Sequence, residues 1–157
     1  MTLALSNGES FALGVTGYDY RPATSYETTP QLVLEVEIEG ILAEAVVDTG
    51  GVYLFYHPQI GRRLSLTPTE ALSGVQTIRF RGVLVHGRLY RLTLTFLADE
   101  GEDVTIQTTA FVPEPDEAEH WGDLPCLLGL YGCLERVRFA VDLRIERFYF
   151  GPAEEVS

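Results

Sequence analysis

Positive charge is scarce in this chain. Its 157 residues hold 11 Lys and Arg against 23 Asp and Glu, a formal net charge of −12 at pH 7. Binding to a phosphate backbone needs a stripe of cations, and none is present, so no nucleic-acid partner is expected. The same deficit disfavours an anionic membrane surface, and the charge serves solubility instead. Long apolar runs are missing too. None approaches the ~20 residues that span a bilayer. The opening MTLALSNGESFALG has neither the basic n-region nor the apolar stretch of an export signal. Cysteine is limited to Cys126 and Cys133, too few for a disulfide framework. With no export signal, reduced thiols and a cytoplasmic location are expected. The C-x6-C spacing, with no histidine beside it, fits no zinc pattern. Both cysteines therefore read as packing residues, and no metal or other cofactor is expected. His57, His86 and His120 are scattered, with no serine or cysteine nucleophile motif beside them, which argues against a triad. There is no internal repeat and no low-complexity segment.

What is present is material for one β-rich core. Hydrophobic residues make up 46% of the chain, including eight Tyr, eight Phe and one Trp, a length and composition that suit one domain. QLVLEVEIEG alternates, with Leu32, Leu34, Val36 and Ile38 on one face and Glu35, Glu37 and Glu39 on the other, which predicts a half-buried strand. Glu39-Gly40 offers a tight turn into a partner strand, ILAEAVV. Pro58 suits the first turn of a short helix running to about Leu64. GVQTIRFRGVLVHGRLYRLTLTF reads as strand, turn, strand, with Gly74, Gly82 and Gly87 supplying bends. DVTIQTTAFV, RVRFAVDL and ERFYFG are further strands; FALGVTGYDY offers one more, and RPATSYETTP reads as a linker or surface arm. PEPDEAEHWGD is an acidic loop, and GLYGCLERV reads as a short helix weakened by Gly132. Many short strands separated by turn signals predict a β-barrel or closed sandwich.

One charge stands out. In EAVVDTGGVYLF, Asp48 sits between two apolar runs and is followed by Thr49, Gly50 and Gly51. A carboxylate in apolar surroundings is costly unless paired or hydrogen-bonded. Small residues after it let two backbones approach closely. Two such loops face to face would hold two carboxylates that share one proton, one serving as general base and the other as general acid. On the tripeptide alone an ordinary turn is the simpler reading, since Asp and Gly both favour turns.

A second element changes the balance. Far downstream, PCLLGLYGCLERVRFAVD places Leu127 and Leu128 before Gly129, followed by a short helical stretch and a strand. VVDTGG and LLGLYGCLERVRF, in that order, resemble the retropepsin-like aspartic peptidases, single-domain relatives of pepsin, over roughly residues 30–151. The resemblance implies a mainly β, closed acid-protease-like barrel with one or two short helices. Residues 1–29 would be an N-terminal extension or arm, and 152–157 a tail. It makes Asp48 the catalytic aspartate, Thr49 the brace to a partner loop, and Gly50 and Gly51 the close-approach positions. Leu127, Leu128 and Gly129 would support the catalytic loop. Gly51 stands where the family more often has Ala or Ser. The chain holds a single Asp-Thr-Gly, so the implied peptidase is a homodimer with one Asp48 from each subunit, on a two-fold axis, acting on a peptide or protein substrate.

The family's closing flap would lie between Leu72 and Leu89; the plain alternative is an ordinary barrel hairpin. Trp121 reads as a loop anchor, with a cleft-lining role the alternative. Tyr53, Phe55 and Tyr56 read as core or dimer packing, and Asp142 as a strand-end aspartate. Two rivals to an endopeptidase are an inactive peptide-binding or dimerisation module on the same fold, and a structural barrel whose Asp-Thr-Gly is only a turn.

Overall fold

The computed structural model describes residues 3–80, 82–117 and 121–153. Its strands are β1 (Gly14–Gly17), β2 (Asp19–Pro22), β3 (Pro30–Ile38), β4 (Ile41–Val47), β5 (Leu54–Phe55), β6 (Gln76–Phe80) and β7 (Val83–Phe96). They continue with β8 (Glu100–Gly101), β9 (Val104–Pro113), β10 (Cys126–Leu128), β11 (Val137–Asp142) and β12 (Arg147–Pro152). The α-helix α1 (Pro58–Arg63) follows β5.

Hydrogen bonding runs β3-β4-β10-β5-β9-β7, and β7 pairs back onto β3, so six strands close into a barrel. β2 and β6 extend it at β3 and β7, and β11-β12-β1-β8 form a second sheet. The β3–β4 hairpin turns at Glu39 (φ 50°) and Gly40 (φ 80°). Both central residues are left-handed, the geometry that matches the twist of two-residue hairpins. The expected alternation follows: Leu34, Val36 and Ile38 are buried while Glu35 and Glu39 are exposed. β7 behaves likewise, burying Tyr90, Leu92, Leu94 and Phe96.

α1 begins where Pro58 placed it. Its cap is His57, whose Nδ1 accepts from the Gln59 N–H at 3.1 Å. Arg62 and Arg63 sit in its last turn, at the negative end of the helix dipole.

Two expectations need correction. The helix expected in GLYGCLERV is a single 3-10 turn, Leu134–Arg136. Gly132 just before it has φ +79° and turns the chain instead of extending a helix. Gly87 is no bend. It pairs with Gln76 on one side and Pro113 on the other, and a methyl there would stand 2.5 Å from the Val112 carbonyl oxygen.

Residues 1–29, read from sequence as an extension, contain β1 and β2. β1 pairs with β12 and β8, and β2 pairs with β3. Ala12, Val15, Tyr18 and Ala23 are buried there. Residues 154–157 of the expected tail lie outside the described residues.

The core divides in two. The larger cluster gathers Leu34, Val36, Ile38, Tyr56, Leu94 and Leu128 with the stacked rings of Phe96, Phe148 and Phe150. The smaller one holds Val33, Val46, Phe55, Phe111, Trp121 and Leu127. β10 touches both, Cys126 and Leu128 on one face and Leu127 on the other. A strand buried on both faces has no polar side to show, which is why Cys126–Leu128 is wholly apolar.

Candidate active site

The apolar flanks of Asp48 are β4 and β5, and the element holding them apart is β10. β10 runs parallel to β4, with Leu127 beside Val46 and Leu128 beside Val47. It runs antiparallel to β5, with Leu127 beside Phe55 and Leu128 beside Leu54. The Leu-Leu-Gly stretch is thus inserted between the two limbs of the Asp loop. The Asp48 N–H donates to the Leu128 carbonyl at 2.9 Å, Gly129 N–H to the Tyr53 carbonyl at 2.8 Å, and Leu130 N–H to the Gly51 carbonyl at 2.8 Å. Gly129 admits this approach because it has no side chain: a methyl there would lie 2.5 Å from both the Tyr53 carbonyl oxygen and the Val52 carbonyl carbon.

Across the loop, the Tyr53 N–H donates to the Tyr131 carbonyl at 2.6 Å, and the two rings meet edge to face at 5.8 Å. Tyr53 has φ +60°, a costly setting for a bulky residue, and these contacts over-determine it. Tyr131 was not singled out from sequence, because its stretch reads as helix.

The Asp48 carboxylate is half-buried. It lies over the glycines that follow: a methyl on Gly50 would be 3.6 Å from Oδ1, and one on Gly51 3.2 Å from Oδ2. Thr49 and Gly50 are exposed, as are Val52, Leu130 and Tyr131 nearby. Asp48, Gly51, Phe55 and Leu127 line a cavity of about 330 Å³ together with Ile78 and Phe80 of β6. Arg79 is its cationic residue. The β6–β7 hairpin therefore borders the same cavity as Asp48. Its base is tied where the sequence placed the ends of a flap: Leu72 N–H donates to the Leu89 carbonyl at 2.7 Å, and Leu89 N–H to Ser73 Oγ at 3.1 Å. Gly82, with φ +82°, lies at the turn.

Trp121 anchors its loop and also reaches this hairpin. Its ring stacks on Phe80 with centroids 5.2 Å apart and planes 11° apart. Phe55 packs against Phe80 at 5.2 Å and against Phe111 at 5.1 Å. Sequence reading missed Phe80, which looks like any strand aromatic. The indole N–H of Trp121 is buried with no hydrogen-bond partner among the described residues.

The remaining candidates fall away from Asp48. His57 caps α1, and burial lowers its pKa below the ordinary 6.5. His86 Nδ1 lies 2.8 Å from Glu117 Oε1, tying β7 to the 3-10 turn Pro115–Glu117. His120 lies outside the described residues. Asp142 Oδ1 accepts from the Arg144 N–H at 3.0 Å, the strand-end role expected of it. Cys126 and Cys133 are free and buried, and burial pushes both thiols up to about 12. Tyr56 is a core residue whose phenol burial drives far above its ordinary range. Among the described residues no three His, Cys, Asp or Glu side chains gather closely enough to hold a metal ion. A larger cleft of about 880 Å³ opens beside Arg21, Glu44, His57 and Asp123. It shares no lining residue with the Asp48 cavity, so size alone does not locate the chemistry.

No protein-family profile matches the chain, and no curated protein sequence matches it significantly. Its fold does have a counterpart among solved structures. The crystal structure of a retropepsin-like aspartic protease from Rickettsia conorii superposes with a TM-score of 0.51, covering 88% of this chain and 93% of that one, at 17% sequence identity. The architecture is thus a retropepsin-like β-barrel. At that identity the likeness speaks for the fold.

Proposed function

We propose that this chain is an aspartic endopeptidase that works as a homodimer, with Asp48 of each copy forming one catalytic dyad. The observation that carries the reading is the placement of Asp48. It sits on a loop of small residues split by β10, at the wall of a cavity that the β6–β7 hairpin also lines. The exposed side chains of Thr49, Val52, Leu130 and Tyr131 give the same face an apolar rim suited to a second copy.

In such a dimer the two carboxylates cannot both ionise comfortably, so they share a proton. The ionised one takes a proton from a water held between them, and that water attacks the peptide carbonyl. The protonated one supports the carbonyl oxygen, and a proton then passes to the leaving amine. No covalent intermediate forms. The β6–β7 hairpin closes over the peptide and excludes solvent. We place the protein in a reducing compartment such as the cytoplasm, a reading supported by its free thiols.

A second reading keeps the peptide-binding cavity and loses the cleavage. Gly51 favours it, because the carboxylate lies where a side chain at that position would crowd it. One experiment separates the two. Wild type and Asp48→Asn are compared by sedimentation equilibrium and by cleavage of a quenched-fluorescent peptide library from acidic to neutral pH. The peptidase reading expects two dimers, of which only wild type cleaves. A strict monomer at high concentration, or equal cleavage by both, contradicts it. Two dimers that bind peptides and cleave none establish the binding module.

A further inference from the structure

The side chain closest to being a ligand in the Asp48 cavity belongs to the chain itself. Phe80 is the last residue of β6, immediately before the hairpin turn. Its ring packs against both Trp121 (5.2 Å, 11°) and Phe55 (5.2 Å, 35°), whose own rings stack on each other at 6.2 Å, so the three form one aromatic cluster. Phe55 follows the Asp loop directly and pairs with Leu127. Phe80 and Phe55 line the same cavity as Asp48. Trp121 comes from elsewhere, the acidic loop between β9 and β10, and is only 4% exposed. A hairpin side chain that moves with a flap is therefore stacked on a ring fixed in the core.

We propose that Phe55 and Trp121 form an aromatic subsite beside Asp48, that Phe80 fills it at rest, and that a peptide bearing an aromatic side chain enters by displacing Phe80. Trp121 is then a specificity-determining residue. The adjoining faces of two rings reward another ring: aromatic contacts tighten binding roughly 2- to 10-fold beyond what the buried area gives. An aliphatic side chain gains the burial without the stacking term. The cavity of about 330 Å³ gives the incoming side chain room as Phe80 swings out. At rest the subsite is self-occupied, so apparent affinity is reduced by the fraction of molecules whose slot is empty. The proposal rests on the peptide-binding half of the function above, and needs cleavage for none of its parts.

Trp121 is the only tryptophan in the sequence, so its fluorescence reports on this stack directly. The full-length Asp48→Asn protein, which leaves peptides intact, is titrated with paired peptides that differ by Phe or Leu at one position, scanned along the peptide. At one position the Phe peptide should change Trp121 emission saturably and bind roughly 2- to 10-fold tighter than its Leu twin. Adding Phe80→Ala empties the slot and should tighten the Phe peptide further. Phe80→Leu should give an intermediate affinity, and the wild-type hairpin titration stands without either variant. No position with a Phe preference, or a Phe preference with Trp121 emission unchanged, overturns the subsite. So does weaker Phe-peptide binding in a folded Phe80→Ala protein. If Phe peptides bind as expected and wild type never cleaves them, the subsite stands and the peptidase falls. If wild type cleaves peptides with no aromatic preference, the peptidase stands and the subsite falls.

Discussion

Replacing Gly129 with alanine tests how the Asp loop is built. The added methyl would meet three backbone atoms: the Tyr53 carbonyl oxygen and the Val52 carbonyl carbon at 2.5 Å, and the Val52 oxygen at 2.7 Å. Ordinary contact begins at 3.4 Å, so the strands must part by close to an ångström. None of the three atoms sits on a side chain that can rotate away. Separation on that scale opens the 2.8 Å bond from Gly129 N–H to the Tyr53 carbonyl and strains the neighbouring one from Leu130 to Gly51. Overpacking in a fixed core costs about 1–3 kcal/mol, and each lost backbone bond adds about 0.5–1.5 kcal/mol. Together these give a loss of roughly 2–5 kcal/mol, or about 5–15 °C in Tm for a domain of this size. Urea and thermal unfolding at one fixed protein concentration measure it, with Gly74→Ala as control. A methyl at Gly74 meets nothing within 4 Å, so that variant should stay within about 1 kcal/mol of wild type. If Gly129→Ala proves as stable as Gly74→Ala, β10 does not thread the Asp loop as described.

Other outcomes follow from the same structure. Burial holds the His57 pKa below its ordinary 6.5, so the unfolded chain binds this proton first. The His57 contribution is then present above about pH 6.5 and is lost as pH falls below it; His57→Asn, which keeps an N-cap acceptor, should flatten that part of the stability–pH profile. An unchanged slope would remove His57 as its source. Cys126 and Cys133, buried with thiols near 12, should react with a thiol reagent at neutral pH only as the chain unfolds. Fast labelling of the native protein would contradict their packing role. In the proposed dimer, Thr49→Ala should shift the equilibrium toward monomer in sedimentation while leaving each monomer folded. An unmoved equilibrium would take Thr49 out of the interface.

How much of this was readable beforehand depends on whether a signal is local. The β3–β4 hairpin was legible because Leu34, Val36 and Ile38 alternate with glutamates and Glu39-Gly40 closes the turn. The start of α1 was legible from Pro58 alone. The Asp loop and the strand that splits it were legible because each carries its own short pattern, VVDTGG and LLG. The Phe80–Trp121 stack was not. It joins a hairpin tip to a distant loop, and side-chain periodicity says nothing about which loops meet. β1 was legible only in part: Val15 and Thr16 favour a strand in FALGVTGYDY while Gly14 and Gly17 weaken it, and it is its neighbours β12 and β8 that hold it. GLYGCLERV misled because its spacing suits a helix, whereas Gly132, the weak point of that reading, takes a left-handed turn that ends it.

The central claim is that one site needs two copies of Asp48. It is tested most directly on a heterodimer purified through two different tags, with Asp48→Asn in one chain only. Cleavage of a fluorogenic peptide by that heterodimer is compared with both homodimers. A shared dyad predicts that the heterodimer is as inactive as the double variant. A heterodimer that keeps half the wild-type rate would mean that each chain carries a complete site of its own, and would contradict the account.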